Sequence, residues 1–357
     1  MTHTLSHDFA QPFAIAGRMV GPGHPPLLVA ELSGNHNGEL GRALELIRAA
    51  AEAGAGAVKL QTYTADTITI DHTGPGFQIE GGLWHGRSLY ALYQEAHTPW
   101  DWHATLFAEA RKLGLPIFST PFDETAVDLL ESLGAPAYKI ASFELIDLPL
   151  IERVAATGKP MIMSTGMASK TEIERAVATA RAAGNREMAL LHCVSGYPAP
   201  AADYHLRKIP ALAETFGVVA GLSDHTLGIA TAIASVALGA AVIEKHFTLR
   251  RADGGPDAAF SLEPAELGAL TVGCRTAWEA LGNADFGCQP SEKANLVLRR
   301  SLYVVADIPS GGEINRSNVR SIRPGFGLPP ADLALVLGRR VRTAITRGTP
   351  LSWDALK

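Results

Sequence analysis

Eight short apolar runs alternate with amphipathic stretches through most of the 357 residues. Each run has the length of a fully buried strand, and the stretches between the runs have the periodicity of helices. The runs are LLVAEL from Leu27, AVKLQT, PIFST, AYKIAS, PMIMST, MALLHC, VVAGLSD, and AVIEKH ending at His246. Eight strand–helix units predict an α/β fold, a (β/α)8 TIM barrel. A doubly wound sheet is the alternative, but it leaves unexplained the polar residues that follow nearly every run.

The repeating pattern stops near Gly282, which predicts a second domain after the barrel. We place the barrel at residues 1–285, a linker at 286–295 and a small domain at 296–357. The small domain has three short strand patterns, SLYVVADI, SIRPGFG and RRVRTAITRG, broken by Pro and Gly. Within the barrel, the connection from Tyr63 to His97 is long and rich in Gly and aromatic residues. We expect it to lie over the active face as a lid or a partner surface.

Charge is unevenly divided along the chain. Residues 295–357 contain nine Arg, one Lys and four acidic residues, a net of +6, so the remainder carries −11 of the total of −5. An acidic chain is not a general nucleic-acid binder. The arginines of the basic part are interleaved with Pro, Gly and acids rather than clustered, so we expect no nucleic-acid partner.

Cysteine usage and apolar segments predict the compartment. Cys193, Cys274 and Cys288 show no CxxC spacing, so they indicate neither a disulfide framework nor a zinc site. Residues 1–19 lack the charged start and apolar core of a secretory leader, and the small-apolar stretch 228–243 is too short for a membrane span. These features predict a cytoplasmic protein with no membrane partner.

Polar residues at the strand ends indicate an anion site, because the carboxyl ends of barrel strands converge on one pocket. Lys59 and Lys139 lie at two of these ends, together with several Ser and Thr residues at helix-entry turns. Ammonium groups, hydroxyls and helix amino-terminal amides are the groups that bind phosphate. The alternative is that the two lysines pair internally with Glu31 or Glu144.

Two histidines and one carboxylate suggest further chemistry. His225 and His246 end neighbouring strands, where neutral imidazoles can share a divalent ion with water and substrate. Mixed oxygen donors favour Mn²⁺, Co²⁺ or Mg²⁺ over structural zinc; the alternative is a pair of satisfied core histidines. Glu31 is a candidate general base or hydroxyl binder, or else an ion-pair partner of Lys59. Adjacent strand residues point to opposite faces, so His192 and Cys193 do not form a nucleophile pair.

Several motifs carry a family resemblance over nearly the whole chain. They are AELSGNHNG, VKLQTY, STPFDE, STGM, HCVSGYPAP, GLSDHT, IEKHFT and GGPDAAFSLEP. With these motifs the sequence resembles the sialic acid synthase family, nearest to its pseudaminic acid branch. The segment with RSLYVVADI and NVRSIRPGFGL resembles the β-clip-like antifreeze (SAF) domain that closes these enzymes.

The resemblance implies condensation of phosphoenolpyruvate with the open-chain aldehyde of an acetamido sugar, giving a nine-carbon acid and phosphate. In the pseudaminic branch the sugar is 2,4-diacetamido-2,4,6-trideoxy-altrose. It also implies a divalent cation on His225 and His246, and Glu31 near the forming bond. The implied phosphoenolpyruvate contacts are Lys59, Gln61, Thr120, Lys139, Ser142, Ser164, Ser195, Tyr197 and Ser223. The implied sugar contacts are Glu144, Asp257 and Arg323, the last one inserted into the partner's site in a domain-swapped homodimer.

Other functions stay open at this stage. The pseudaminic branch often has Lys where this chain has His192, so an N-acetylneuraminic or legionaminic acid synthase is the first alternative. A metal-dependent aldolase or hydrolase on the same barrel is the second, and it predicts no phosphate release from phosphoenolpyruvate. A non-catalytic binder is the third.

Overall fold

The computed structural model describes residues 10–357. Residues 1–9 of the segment assessed for a leader lie outside the described residues. The chain divides into two compact units, one ending at Gly282 and the other covering Asn283–Lys357. The domain boundaries expected above, 285 and 296, stay predictions; a 3-10 helix over Pro290–Leu298 overlaps the expected linker.

Eight parallel strands of the first unit close into a barrel, as the alternating runs predict. They follow one another in chain order, and the last pairs with the first, with His246 opposite Glu31. This closure confirms the barrel, and the doubly wound alternative is wrong. The strands are β3 (Leu27–Glu31), β4 (Ala57–Thr62), β5 (Ile117–Pro121), β6 (Tyr138–Ile140), β7 (Met161–Ser164), β8 (Met188–Cys193), β9 (Val219–Asp224) and β10 (Val242–His246).

A short antiparallel hairpin precedes the barrel. It consists of β1 (Phe13–Ile15) and β2 (Arg18–Val20). Phe13, Ile15 and Val20 are buried against interior residues such as Leu27 and Val242 at the amino-terminal ends of the strands. The hairpin therefore closes the end of the barrel opposite to the one where the polar strand ends meet.

Helices surround the barrel, and all except α2 (Ala65–Ile68) and α3 (Leu89–Ala96), which belong to the connection after β4, bury apolar residues against the strands. Their ends follow local sequence signals. Ser169 and Glu172 form a reciprocal capping box at the start of one helix, and Gly54 ends another with φ +80°, a conformation that favours glycine. The helices are α1 (Leu40–Glu52), α2 (Ala65–Ile68), α3 (Leu89–Ala96), α4 (His103–Lys112), α5 (Glu124–Ser132), α6 (Leu148–Ala155), α7 (Lys170–Ala182), α8 (Lys208–Phe216), α9 (Ala230–Val236) and α10 (Pro264–Leu281).

The long connection after β4 carries α2, α3 and a turn between them that is closed by a bridge from Gln78 to Ser88. Trp84 in this turn donates its indole N–H to the Pro256 carbonyl at 2.8 Å, and its ring lies 5.5 Å from that of Tyr197. Pro256 and Tyr197 both belong to connections that follow the carboxyl ends of strands. The connection therefore lies over that end of the barrel.

The second unit has its own small core, which includes Leu302, Val304, Ile314 and Leu351. Two strands, β11 (Ser301–Val304) and β12 (Val319–Ile322), pair antiparallel, and a short helix α11 covers Leu333–Val336. The third expected strand, RRVRTAITRG, is wrong as a strand, because this segment makes only isolated bridges such as Ile308 to Ile345. Within residues 10–357, the helices are all too short or too polar to cross a bilayer.

Candidate active site

Four charged side chains meet inside the carboxyl end of the barrel. Lys59 Nζ lies 2.6 Å from Glu31 Oε2 and 3.6 Å from Glu244 Oε2, and Lys139 Nζ lies 3.3 Å from Glu244 Oε1. Each of the four side chains is at most 5 % exposed. Two ammonium groups and two carboxylates thus neutralise one another in a water-poor pocket, where an unpaired charge is very costly. We call these four residues the charge quartet.

Neighbouring polar groups orient the charge quartet. Glu31 Oε1 accepts hydrogen bonds from Gln61 Nε2 at 2.9 Å and from the Ser33 amide at 3.2 Å. Lys59 donates to Thr120 Oγ1 at 3.1 Å, and Ser223 donates to Glu244 Oε1 at 3.1 Å. Three residues expected in the phosphoenolpyruvate pocket, Gln61, Thr120 and Ser223, therefore contact the quartet directly.

Burial and charge pairing move the protonation equilibria of the quartet in different directions. Burial raises the pKa of Glu31, and the nearby Lys59 offsets this only in part. Burial also disfavours the charged form of Glu244, but Lys139 and Lys59 outweigh it and lower its pKa to about 2. Burial lowers the pKa of Lys139. Glu31 is therefore the carboxylate of the quartet best suited to accept a proton, and the two lysines favour the ionised form of Glu244.

The pairing partners differ in one respect from the sequence expectation. Lys59 pairs with Glu31, as the internal-pairing alternative holds, but Lys139 pairs with Glu244 and not with Glu144. Sequence reasoning gave Glu244 no role. The signal was present, because Glu244 and His246 are two residues apart on β10 and therefore point to the same side of the strand.

The turn after β7 forms a small polar cradle. The Gly166 amide donates to Ser142 Oγ at 3.2 Å, and a Cβ on Gly166 would lie 2.3 Å from Ser195 Oγ. Only glycine fits so close to these hydroxyls. Ser164 Oγ is buried and has no hydrogen-bond partner among residues 10–357. A buried hydroxyl without a partner can donate a hydrogen bond to an oxyanion ligand.

His225 and His246 lie face to edge at the ends of β9 and β10, with ring centroids 5.3 Å apart. The Nδ1 atom of His225 lies 2.8 Å from the Val194 carbonyl, so it carries the proton and leaves Nε2 as a free donor atom for a ligand. The Nδ1 atom of His246 is buried without a hydrogen-bond partner in the described part of the chain. Burial, followed by the neighbouring His225, lowers the pKa of His246 well below its usual value and keeps it neutral.

An imidazole nitrogen without a proton can bind a divalent cation, and burial keeps His246 in this neutral form. Within residues 10–357, no group of three or more His, Cys, Asp or Glu side chains is arranged to hold a metal ion. His225 and His246 would therefore share the cation with water or substrate oxygens. Asp257 Oδ2, at 3.7 Å from His246 Nδ1, is the carboxylate nearest to this pair on the following loop.

Cys193 lies on the inner face of β8, and its sulfur is 3.9 Å from His225 Nδ1. His192 points the other way and bonds the Tyr204 carbonyl. The two residues therefore occupy opposite faces, as strand alternation requires. Burial alone would lower the pKa of His225, but Cys193 and the Val194 carbonyl raise it. Sequence reasoning missed this cysteine–histidine contact because it joins different strands.

The mouth of the site combines acids and aromatic rings. Burial raises the pKa of Glu144 to about 7 and that of Asp257 to about 6. The ring of Tyr197 lies 4.4 Å from that of His225 and 5.4 Å from that of Phe260. These groups offer hydrogen bonds and apolar contact to an uncharged polar ligand.

Arg323 belongs to the second unit. It begins a loop in which the Gly325 amide donates to the Val297 carbonyl and Ser301 Oγ donates to the Pro324 carbonyl. Its expected contribution to a sugar site stays a prediction.

A closed parallel barrel with buried ammonium–carboxylate pairs and two imidazoles at its carboxyl end has the architecture of a barrel enzyme. Comparison with known protein families supports this assignment to a barrel enzyme. The NeuB family model matches residues 46–286, and the SAF domain model matches residues 299–357. The chain belongs to the NeuB family, the sialic acid synthase family that its motifs resemble.

The chain is similar to several individual proteins of this family. The chain is 44 % identical over 335 residues to the pseudaminic acid synthase of Helicobacter pylori, covering 93 % of this chain and 98 % of that protein. It is 34 % identical over 337 residues to an N,N′-diacetyllegionaminic acid synthase of Legionella pneumophila, covering 92 % and 94 %. A solved N-acetylneuraminic acid synthetase of Leptospira borgpetersenii superposes with a TM-score of 0.72 at 32 % identity, covering 81 % of this chain and 96 % of that one.

The raised pKa of Glu144 predicts a pH-dependent stability difference. Between the ordinary value of 4.5 and about 7, the folded chain holds a proton that the unfolded chain has released, so wild-type stability falls as pH rises. Glu144→Gln removes this dependence. We expect the melting temperature of Glu144→Gln minus that of the wild type to increase from about pH 5 to about pH 8.

Glu172→Gln is the matched control for thermal melts. Hydrogen bonds from Ser169 lower the pKa of this exposed carboxyl, so it stays ionised from about pH 5 to about pH 8. The melting temperature of Glu172→Gln minus that of the wild type should therefore stay constant over this range. A Glu144→Gln difference that is flat with pH, or that shrinks, would contradict the protonation assigned to Glu144.

Proposed function

We propose that the chain condenses phosphoenolpyruvate with 2,4-diacetamido-2,4,6-trideoxy-β-L-altropyranose, in its open-chain aldehyde form, to give pseudaminic acid and phosphate. The proposal rests on the charge quartet beside His225 and His246 in a chain that is similar over nearly its full length to pseudaminic acid synthases. Similarity to legionaminic and neuraminic acid synthases is lower but covers most of the same length, so the sugar is the part of the proposal that most needs a test.

The phosphoenolpyruvate end of the site would be bound by the quartet lysines and the Gly166 cradle. Each ammonium has three N–H donors, and Lys139 has a hydrogen bond to Glu244 that leaves others for an anion. The unpartnered Ser164 hydroxyl would complete the contacts. An incoming anion strengthens the protonated forms of its neighbours, so Lys139 would be fully charged in the complex.

The sugar aldehyde would lie beside His225 and His246. A divalent cation such as Mn²⁺, Co²⁺ or Mg²⁺, when bound there, would polarise the aldehyde oxygen as a Lewis acid. His225 is suited to this contact because the Val194 carbonyl fixes the proton on Nδ1 and so leaves Nε2 unprotonated. Asp257 and Glu144 would accept hydrogen bonds from sugar hydroxyl or amide groups at the mouth.

The chemical steps follow from these positions. C3 of phosphoenolpyruvate attacks the aldehyde carbon, and positive charge develops at C2. Water adds to C2 and gives up a proton, which Glu31 is placed to accept because burial raises its pKa. The aldehyde oxygen, left as an alkoxide by the first step, takes up the proton that Glu31 accepted from the water. The tetrahedral intermediate then collapses: the bond between C2 and the phosphate oxygen breaks, the C2 hydroxyl becomes the ketone, and its proton leaves with phosphate. Lys59 and Lys139 stabilise the departing phosphate.

A second copy of the chain would complete the site, with the basic domain of one protomer over the acidic barrel of its partner. Four large apolar residues follow strands at the carboxyl end of the barrel and are more than half exposed. Such a rim suits a covering partner. The residues are Phe143, Ile146, Met167 and Leu227. We propose a domain-swapped homodimer in which Arg323 of one protomer contacts the sugar in the other. Cytoplasmic location stays a prediction.

A sugar panel tests the substrate. Purified protein is mixed with phosphoenolpyruvate, Mn²⁺ and each of three sugars: the altrose derivative, the 2,4-diacetamido-2,4,6-trideoxy sugar that leads to legionaminic acid, and N-acetylmannosamine. We expect kcat/KM for the altrose derivative to exceed the others by at least about tenfold, as for a site that recognises each polar substituent. Released phosphate and product mass are measured together.

Each outcome of the panel assigns a function. Preference for N-acetylmannosamine or the legionaminic precursor would replace the proposed sugar by the corresponding one. Absence of phosphate release with every sugar would contradict the synthase reaction and favour an aldolase or hydrolase.

Mixing two inactive variants tests the domain swap. Arg323→Ala should lose activity while its barrel stays folded, and Glu31→Ala should lose the barrel's own chemistry. A mixed dimer contains one site with both native residues, so isolated heterodimers should regain up to about a half of wild-type turnover, and an unfractionated co-refolded mixture up to about a quarter. Activity is measured on heterodimers isolated with two different affinity tags. Isolated heterodimers without activity would contradict the trans arrangement.

A further inference from the structure

One buried ion pair lies outside the charge quartet. Lys245 Nζ is 2.8 Å from Asp224 Oδ2, and both side chains are 0 % exposed. Lys245 follows Glu244 and precedes His246 on β10, so it points away from the barrel interior into which those two residues point. The layer between barrel strands and helices is ordinarily apolar, and a charged pair there is exceptional.

The ion pair joins β9 and β10 one residue before each histidine. Asp224 and Lys245 are opposite each other in the register of β9 and β10. Each is followed directly by a histidine, His225 on one strand and His246 on the other. The ion pair therefore fixes the distance between the ends of β9 and β10, from which the two imidazoles extend.

The same groups hold the turn after β9. Lys245 Nζ also donates to the Thr226 carbonyl at 2.6 Å, and the Thr226 amide donates to Asp224 Oδ1 at 2.8 Å. Tyr204 adds a tie from another element, since its hydroxyl accepts from the His225 amide at 2.6 Å and donates to the Ser223 carbonyl at 3.1 Å. The backbone of His225 is thus restrained on both sides.

Stability alone does not account for the pair. A buried ion pair loses so much hydration that apolar residues of similar size commonly stabilise a fold equally well or better. A fixed geometry is what the pair supplies and apolar residues do not. The residues that hold metal-binding histidines in orientation commonly control metal affinity in this way.

We propose that Asp224 and Lys245 are positioning residues that hold the two imidazoles at the separation needed to share one divalent cation. The proposal rests on the metal role assigned to His225 and His246 under the proposed function. Asp224 and Lys245 contact neither the cation nor the substrates; they act through the backbone of β9, β10 and the following turn.

The test uses a neutral pair, Asp224→Asn with Lys245→Met in one chain. No unpaired charge is left in the interior, and the asparagine oxygen still accepts from the Thr226 amide, so the barrel should fold. Lys245→Met alone is a second variant. Lys159→Met is the matched control, since it removes a lysine–glutamate pair (Lys159 with Glu131) on the outside of the barrel, away from both histidines.

Two readouts are measured on full-length protein whose fold is checked by circular dichroism. The first is Mn²⁺ binding, from the loss of the free Mn²⁺ signal in electron paramagnetic resonance. The second is the ring-nitrogen spectrum of ¹⁵N-histidine-labelled protein without metal, which reports the tautomers of His225 and His246. We expect the neutral pair to bind Mn²⁺ roughly 10- to 100-fold more weakly and to broaden or split both ring signals. Lys159→Met should match the wild type in both.

The outcomes separate the two levels of the proposal. A folded neutral pair with wild-type Mn²⁺ affinity and wild-type ring signals would overturn the positioning role. A wild type whose Mn²⁺ binding equals that of His246→Ala would overturn the metal role. In that case the ring spectra still decide whether Asp224 and Lys245 orient the histidines.

Discussion

Four buried charges inside the barrel must neutralise one another. Lys59 and Lys139 are buried at the level where a substrate would bind, and they are held there by Glu31 and Glu244. Two cations without these partners would not stay charged in such a place. The four residues come from β3, β4, β6 and β10, so only the closed barrel brings them together. The charge balance of the site therefore depends on closure of the barrel.

Both faces of β10 contribute side chains to this end of the barrel. Its inward residues, Glu244 and His246, contribute an anion to the quartet and an imidazole to the histidine pair. Its outward residue, Lys245, forms the buried link to Asp224. Because successive side chains point to opposite faces, one five-residue strand supplies an anion of the quartet, one imidazole of the histidine pair and the buried lysine between them.

Much of this could be predicted from the sequence, because the signals are local. Short apolar runs define the eight strands. The barrel backbone brings the polar ends of these strands together, and this does not depend on the conformation of any side chain. The pairing of Lys139 with Glu244 could not be predicted, since it crosses the barrel between β6 and β10 and depends on side-chain reach. The Cys193 contact with His225 is of the same kind. In the second unit, RRVRTAITRG has the pattern of a strand but makes only single bridges. The site roles, the dimer and the location of Arg323 in it stay predictions.

The proposed reaction joins C3 of phosphoenolpyruvate to a sugar aldehyde and releases phosphate by breaking the C2–oxygen bond. Isotope labelling measures that bond directly. Phosphoenolpyruvate carrying ¹⁸O at the oxygen between C2 and phosphorus is turned over with the altrose sugar, and both products are weighed by mass spectrometry. We expect the label to leave with phosphate and the acid to gain its oxygen from water. Label retained in the nine-carbon acid would mean cleavage at phosphorus, and would contradict the mechanism built on Glu31, Lys59 and Lys139.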